Sequence, residues 1–159
     1  MSGATEREVS VSREIAATPE TLWAMVSDVT RMGEWSPETT SCAWRKGATG
    51  PVVGARFAGT NRNGRRRWST NCTVSAAEPG RRFAFRVDAG PVGIAEWAYT
   101  FEPSATGTVV TETWTDRRGR FGIWVGKPVS GVADRAAHNR AGMEETLARL
   151  AAVAEGAAR

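Results

Sequence analysis

Residues 132–155 read VADRAAHNRAGMEETLARLAAVAE, and this stretch decides the fold because it alone has the periodicity of a long helix. It lacks proline, it is rich in alanine, and its apolar residues recur at helical spacing at Ala136, Met143, Leu147, Leu150 and Ala154. A helix of about 24 residues would be roughly 36 Å long, which is enough to cross a whole β-sheet. The apolar stripe therefore predicts a helix that covers a sheet.

The region from Thr39 to Arg117 predicts about six short strands. Turn-forming pairs interrupt this region at Gly50-Pro51, Asn63-Gly64, Pro79-Gly80, Gly90-Pro91 and Thr106-Gly107. Alternation along the strands predicts one buried face, made of Trp68, Thr70, Cys72, Val74, Phe83, Phe85, Val87, Trp97, Tyr99, Phe101, Val110, Glu112 and Trp114. Short strands that follow one another in this way are typical of antiparallel hairpins.

The segment before these strands predicts one further strand and two short helices. Apolar and polar residues alternate over Glu8 to Ile15, which indicates a half-buried strand. Thr18-Pro19-Glu20 supplies an N-cap, a proline at the first helical position and an acidic first turn. A second helical turn is predicted near Thr30 to Gly33. We therefore expect one α+β domain over residues 1–159, with an ordered core of about 7–155, in which a seven-stranded curved antiparallel sheet wraps around the C-terminal helix.

The composition favours a cytoplasmic protein without a metal or a cofactor. No segment approaches the ~20 consecutive apolar residues of a membrane span, and the N-terminus lacks the features of a signal peptide. The net charge is +4, and the densest basic run surrounds Asn63-Gly64, where it predicts a solvated hairpin tip and no nucleic-acid partner. Cys42 and Cys72 form no metal-binding or disulfide motif.

Several stretches resemble the SRPBCC superfamily of START-like, helix-grip proteins. They are Ile15–Trp23, Ser27-Asp28 with Trp35–Glu38, Val53–Phe57, Glu78–Phe83, Trp97–Pro103, Gly107–Glu112 and Asn139–Leu147. The chain looks closest to the actinobacterial branch labelled polyketide cyclase/dehydrase. The resemblance implies a helix-grip fold whose cavity, between the sheet and the C-terminal helix, takes lipids, sterols, polyketides or other apolar ligands, and only sometimes supports catalysis.

The aromatic concave face predicts the residues that would contact such a ligand. The sequence permits either a dense aromatic core or an aromatic-lined cavity, and Trp124, between glycines, is a lid candidate. The predicted ligand-binding residues are Trp35, Trp68, Thr70, Cys72, Phe83, Phe85, Trp97, Tyr99, Phe101, Val110, Glu112, Trp114, Trp124, Asn139, Met143 and Leu147.

Three polar residues are candidates for chemistry. Glu112 lies between two buried apolar positions of its strand, so its carboxylate needs a partner. Arg13 lies on the buried face of the first strand, which the helix-grip topology sets beside the last one. The two could form a structural ion pair, orient a ligand or move a proton. Tyr99 could donate a hydrogen bond to a ligand carbonyl or simply pack in the core. His138, the only histidine, falls at the rim or in solvent.

The leading hypothesis is a protein that binds a small apolar or aromatic molecule. The alternatives are a polyketide cyclase/aromatase-like enzyme that uses Glu112, Arg13 and Tyr99, a protein that sequesters a natural product for self-resistance, and a co-chaperone-like interaction module with a filled interior. The sequence has no GxSxG, Walker or HExxH motif, which disfavours nucleophilic, nucleotide and metal chemistry. Whether the chain is an enzyme, and whether it forms a homodimer, stay open.

Overall fold

The computed structural model describes residues 7–119 and 134–157. Seven strands and two α-helices account for most of these residues. The elements are β1 (Glu8–Ile15), α1 (Pro19–Ser27), a 3-10 helix (Val29–Glu34), β2 (Thr39–Arg45), β3 (Arg56–Asn63), β4 (Arg66–Glu78), β5 (Arg82–Ala89), β6 (Val92–Pro103), β7 (Thr108–Asp116) and α2 (Arg135–Ala157). The predicted order of one strand, two short helices, six strands and one long helix is confirmed.

The seven strands form one antiparallel sheet in the order β1-β7-β6-β5-β4-β3-β2. Strands β2 to β7 follow one another as hairpin neighbours, and β1 adds to the far side of β7, with its register running from Glu8 opposite Thr115 to Ile15 opposite Thr108. The first and last strands are therefore partners. Together with α2, this arrangement is the helix-grip fold that the sequence predicts.

Local sequence signals explain how α1 begins and where it packs. The Thr18 side chain accepts a hydrogen bond from the backbone N–H of Thr21, and Pro19 occupies the first turn, where its missing N–H leaves no bond unmade. The indole Nε1 of Trp23 donates to the backbone oxygen of Arg82 at 2.8 Å. This bond ties α1 to the start of β5.

Helix α2 lies against one end of the sheet. It packs mainly on β1 and to a lesser extent on β7, and Glu155 near its C-terminus accepts a hydrogen bond from the backbone N–H of Ala16 at 3.0 Å. Leu147 and Leu150, in the second half of the helix, are almost fully buried. The second half of α2 therefore packs on the core, in which Met143 of the first half is also buried. No helix within the described ranges is long and apolar enough to cross a membrane.

The turn between β6 and β7 packs directly against the end of β1. A Cβ atom at Gly107 would lie 2.1 Å from the backbone oxygen of Ile15, which cannot move without shifting β1. We expect Gly107→Ala to lower the free energy of unfolding by about 1–3 kcal/mol in urea denaturation. Gly50→Ala is the matched control, because a Cβ there meets nothing within 4 Å. Equal unfolding midpoints for the two variants would contradict this close packing.

Candidate functional site

A cavity of about 480 Å³ lies between the sheet and the first half of α2. Its walls are mostly apolar and aromatic. From the sheet, the described lining includes Cys42, Phe57, Asn61, Trp68, Thr70, Cys72, Phe85, Val87, Ile94, Ala95, Trp97, Tyr99, Glu112 and Trp114. From α2, it includes Arg135, His138, Asn139, Gly142, Met143 and Thr146.

Two periodicities bring these side chains together. Along a strand every second residue points to the same face, so β4 contributes Trp68, Thr70 and Cys72 to one wall. Along a helix one face is formed by residues three and four apart, as Asn139 and Met143 are on α2. Aromatic side chains of the sheet, among them Trp68, Trp97 and Trp114, therefore border this space.

Tyr99 and Glu112 form a buried polar pair in the cavity wall. They lie opposite each other on β6 and β7, and the Tyr99 hydroxyl donates to Oε1 of Glu112 at 2.8 Å. Only 7% of Tyr99 and 2% of Glu112 is exposed. The other carboxyl oxygen, Oε2, is buried without a hydrogen-bond partner.

Burial decides the protonation of this pair. Desolvation raises the pKa of Glu112 to about 8, although the hydrogen bond from Tyr99 acts in the opposite direction. Burial, followed by the nearby Glu112 charge, raises the pKa of Tyr99 well above its ordinary value. Both side chains are therefore mainly uncharged at neutral pH.

The predicted pairing of Arg13 with Glu112 is wrong. The residue opposite Glu112 on β1 is Val11, whereas Arg13 lies opposite Val110. Arg13 is exposed and is absent from the described cavity lining. Since β1 is an edge strand, a long arginine side chain can extend from it into water and keep its charge solvated.

A second polar cluster lies at the rim of the cavity. Arg135 Nη1 donates to Glu38 Oε1 at 2.9 Å and to Asn139 Oδ1 at 3.3 Å, while His138 Nε2 contacts the same Glu38 oxygen. The Arg135 guanidinium also lies 6.0 Å from the centre of the Trp68 ring. The cluster joins α2 to the segment before β2, and His138 occupies the rim position that the sequence favoured as one alternative.

A chain of neutral polar groups follows the wall near β2 and β3. Ser36 Oγ donates to Thr39 Oγ1 at 3.2 Å, Thr39 Oγ1 donates to Asn61 Oδ1 at 3.2 Å, and Asn61 Nδ2 donates to Thr70 Oγ1 at 3.2 Å. All four residues line the cavity. A ligand would meet polar groups here that already have partners within the protein.

The structure brings many of the predicted ligand-binding residues to this cavity and leaves others in the core. The lining includes Trp68, Thr70, Cys72, Phe85, Trp97, Tyr99, Glu112, Trp114, Asn139 and Met143. The core holds Trp35, Phe83, Phe101, Val110 and Leu147, which are buried and absent from the described lining. Trp124 lies outside the described residues.

Several lining residues were missed by the sequence interpretation. Phe57 and Asn61 share one face of β3, and the alternation of residues along this strand would have predicted that they face the same side. Arg135, Gly142 and Thr146 recur at helical spacing on α2, but of the lining residues on this helix only Asn139 and Met143 were predicted. Glu38 follows a proline in a segment without periodicity, so nothing in the sequence places it beside α2.

The described residues offer little for thiolate or metal chemistry. Burial raises the pKa of Cys42 to about 11 and that of Cys72 to about 12, which keeps both thiols protonated. Between residues 7 and 119 and between 134 and 157, no three His, Cys, Asp or Glu side chains are grouped to hold a metal ion. The Tyr99–Glu112 pair and the rim cluster are the groups with the most evident chemistry.

Comparisons with known proteins agree with this architecture. The family model described as polyketide cyclase / dehydrase and lipid transport matches residues 6–155. The polyketide cyclase-like protein Cgl2372 from Corynebacterium glutamicum is 36% identical over 93% of this chain and 91% of that chain, with a TM-score of 0.64.

More distant solved structures share the fold. The di-domain ARO/CYC protein StfQ of the steffimycin biosynthetic pathway is 15% identical, with a TM-score of 0.72 over 95% of this chain and 51% of that one. An AHSA1-like protein from Aeromonas hydrophila is 21% identical, with a TM-score of 0.63 over 95% of this chain and 94% of that one. No curated protein matches the sequence.

Proposed function

Because the chain belongs to the polyketide cyclase/dehydrase and lipid transport family, we propose that it binds a small apolar or aromatic molecule between the sheet and α2. The observation that carries the proposal is the aromatic-walled cavity of about 480 Å³. Cavities of about 300–1,000 Å³ with mostly apolar walls and a few polar groups are typical of small-molecule sites. A ligand would supply the contacts that the atoms around this space lack.

The proposal is tested by filling the cavity from α2. Gly142 lines it, and a Cβ atom there would meet only Pro37 Cγ, at 3.5 Å. We expect Gly142→Leu to keep the fold, because leucine is a better helix former than glycine, and to weaken ligand binding by about tenfold or more. Gly156→Leu is the matched control on the same helix, since a Cβ at Gly156 meets nothing within 4 Å.

Binding is measured first by native mass spectrometry of freshly purified protein, which detects a copurified ligand. Titrations that follow tryptophan fluorescence with fatty acids, sterols and aromatic polyketides then rank the ligand classes. Saturable binding by the wild type and Gly156→Leu, but not by Gly142→Leu, would support the cavity as the site. Equal binding by all three proteins would place the ligand elsewhere, and no binding by the wild type would count against the proposal.

A cyclase-like enzyme is the second candidate, and the Tyr99–Glu112 pair is the observation that favours it. A carboxyl group with a pKa of about 8 can donate or accept a proton near neutral pH, and Glu112 is one of the residues that line the cavity. Turnover of a poly-β-ketone that is lost in Glu112→Gln would favour this reading. Binding of the poly-β-ketone without formation of a product would favour the binding function over the enzyme. StfQ, which shares the fold, is named as an ARO/CYC protein of the steffimycin biosynthetic pathway. Sequestration of a natural product, the self-resistance alternative, would also use this cavity.

The interaction-module alternative required a filled interior. The cavity of about 480 Å³ therefore does not favour that alternative.

A further inference from the structure

The loop between β2 and β3 exposes two adjacent valines. Val52 is 64% exposed and Val53 is 67% exposed, which makes them the most exposed large apolar side chains among the described residues. A Cβ atom at Gly50 or at Gly54, close to the pair in the chain, would meet nothing within 4 Å. The two valines therefore lie at the tip of a loop that is surrounded by open space.

Backbone hydrogen bonds hold the valines in this exposed position. The N–H of Ala55 donates to the Val52 oxygen at 2.9 Å, which closes a β-turn. Gly54, the third residue of this turn, has a φ of 89°, as a type II turn requires. The Gly54 N–H also donates to the Val74 oxygen on β4 at 2.9 Å. The loop therefore cannot fold back to bury its valines without breaking these bonds.

Basic residues flank the two valines. Arg45 and Lys46 precede them in the chain and Arg56 follows them, and all three are exposed. From Thr39 to Ala77, a range that covers β2, β3 and most of β4, the sequence has seven Arg or Lys residues and no Asp or Glu. Since the net charge of the whole chain is only +4, the remaining residues are net negative. The valines thus lie at the strongly basic edge of the sheet.

Arginines at the base of the loop lie beside one another without an acidic partner. Arg45 is directly opposite Arg56 across β2 and β3, and Thr73 on β4 lies between Arg56 and Arg86 in the same row of the sheet. No Asp or Glu of the described residues forms a salt bridge with any of these three arginines. Like charges directly opposite on a sheet are destabilising, so an anion from outside the protein would relieve their repulsion.

We propose that this loop docks the protein on an anionic membrane surface. Val52 and Val53 enter the apolar boundary of the bilayer, while the flanking cations bind lipid phosphates. A bilayer interface has a layer of negative phosphates over an apolar layer, and this order matches a projecting apolar tip with cations at its base. The inference concerns the outer surface of the protein and does not depend on a ligand in the cavity.

Other occupants of this surface fit it less well. A nucleic acid would neutralise the cations but would leave the phosphate-facing valines without an apolar partner. A second copy of the chain, joined through the same surface, would bring the cations of both copies together. A bilayer satisfies the charged and the apolar groups at once.

Cosedimentation with vesicles tests the docking. The full chain is mixed at pH 7 with vesicles of phosphatidylcholine alone and with vesicles that also contain about one-third phosphatidylglycerol. We expect the protein to partition onto the anionic vesicles about tenfold or more strongly than onto the neutral ones. Sodium chloride at about 0.5 M should weaken this partitioning, because it screens the attraction between the cations and the phosphates.

Two double variants test the two parts of the loop separately. Val52→Ser with Val53→Ser removes the apolar tip and leaves every charge in place, and it should reduce partitioning onto anionic vesicles by about tenfold. Arg45→Gln with Lys46→Gln removes two charges and leaves the tip, and it should reduce partitioning by about tenfold or more. All four positions are exposed, so both variants should unfold at the same temperature as the wild type.

Matched controls carry the same kinds of substitution elsewhere. Val92→Ser replaces a valine that is 44% exposed at the start of β6, and it should bind vesicles as the wild type does. Arg65→Gln with Arg67→Gln removes two exposed charges at the hairpin between β3 and β4, at the other end of β3. This control should weaken partitioning by no more than about threefold, since it changes only the long-range attraction.

The outcomes decide each part of the proposal. Equal partitioning of the wild type and the double valine variant would overturn the insertion of the loop. Equal losses in the two variants that lack charges would overturn the loop as the contact. Failure to prefer anionic vesicles would overturn membrane docking as a whole, and tight binding of duplex DNA in that case would assign the basic edge to a nucleic acid. Ligand binding in the cavity is measured without vesicles and stands apart from all these results.

Discussion

Replacing Glu112 with glutamine should make the protein progressively more stable than the wild type as the pH rises from about 5 to 8. In the folded protein the carboxyl group keeps its proton up to about pH 8, whereas the unfolded chain releases it near the ordinary value of 4.5. Over this interval the native state binds more protons than the unfolded state, so the free energy of unfolding of the wild type falls as the pH rises. The decrease approaches about 1.4 kcal/mol per pH unit, and glutamine cannot titrate.

Urea denaturation of both proteins at several pH values measures this difference, because most other titrating groups contribute equally to the two curves. Glu102→Gln is the matched control, since Glu102 is exposed and its replacement should give a curve parallel to the wild type. Parallel curves for wild type and Glu112→Gln would show that Glu112 is already ionised in the folded protein. The raised pKa of Glu112 in the folded protein would then be contradicted.

Phe83 and Phe85, two phenylalanines on one face of β5, should respond differently to truncation. Phe83 is fully buried and absent from the described cavity lining, whereas Phe85 lines the cavity and stacks edge-on against Phe57 at 5.1 Å. Phe83→Ala opens a new void in the packed core and should lower the free energy of unfolding by about 3–5 kcal/mol. Phe85→Ala enlarges a space that already exists, so its cost should be nearer about 2 kcal/mol.

The effects of these two substitutions on ligand affinity should have the opposite order from their effects on stability. At a temperature where both variants are folded, Phe85→Ala should weaken binding of an aromatic ligand, and Phe83→Ala should leave it close to that of the wild type. Urea denaturation and fluorescence titration of the same samples give the two quantities. Equal effects of the two substitutions on stability and on binding would contradict the division of β5 between core and cavity.

Most of the fold could be predicted because its signals are local. The N-cap at Thr18, the turn at Asn63-Gly64 and the alternation over Val110, Glu112 and Trp114 each depend on a few neighbouring residues, and each appears in the structure as expected. The resemblance to SRPBCC proteins, which covered nearly the whole chain, is likewise confirmed by the family match. The order of the elements then restricts the topology to few alternatives.

The site was less predictable because it depends on how α2 lies on the sheet. Alternation identifies a concave face, but it does not distinguish Phe101, which is buried in the core, from Trp97, which lines the cavity. The same limit explains the wrong partner for Glu112. The sequence showed that a buried carboxyl group needs a partner, and Tyr99 was considered separately, yet only the register places Tyr99 directly opposite.

The pairing of β1 with β7 also affects how the protein is made. Ser10 and Thr113, which bond across these strands, are 103 residues apart in the chain. At a synthesis rate of about 5–20 residues per second, β1 leaves the ribosome roughly 5–20 s before its partner strand. During that time β1 has neither its partner strand β7 nor the helix α2 that packs on it, and contacts of such long range form slowly. The strand that places Val11 opposite Glu112 is thus made before the other six strands but cannot pair until β7 has been synthesised.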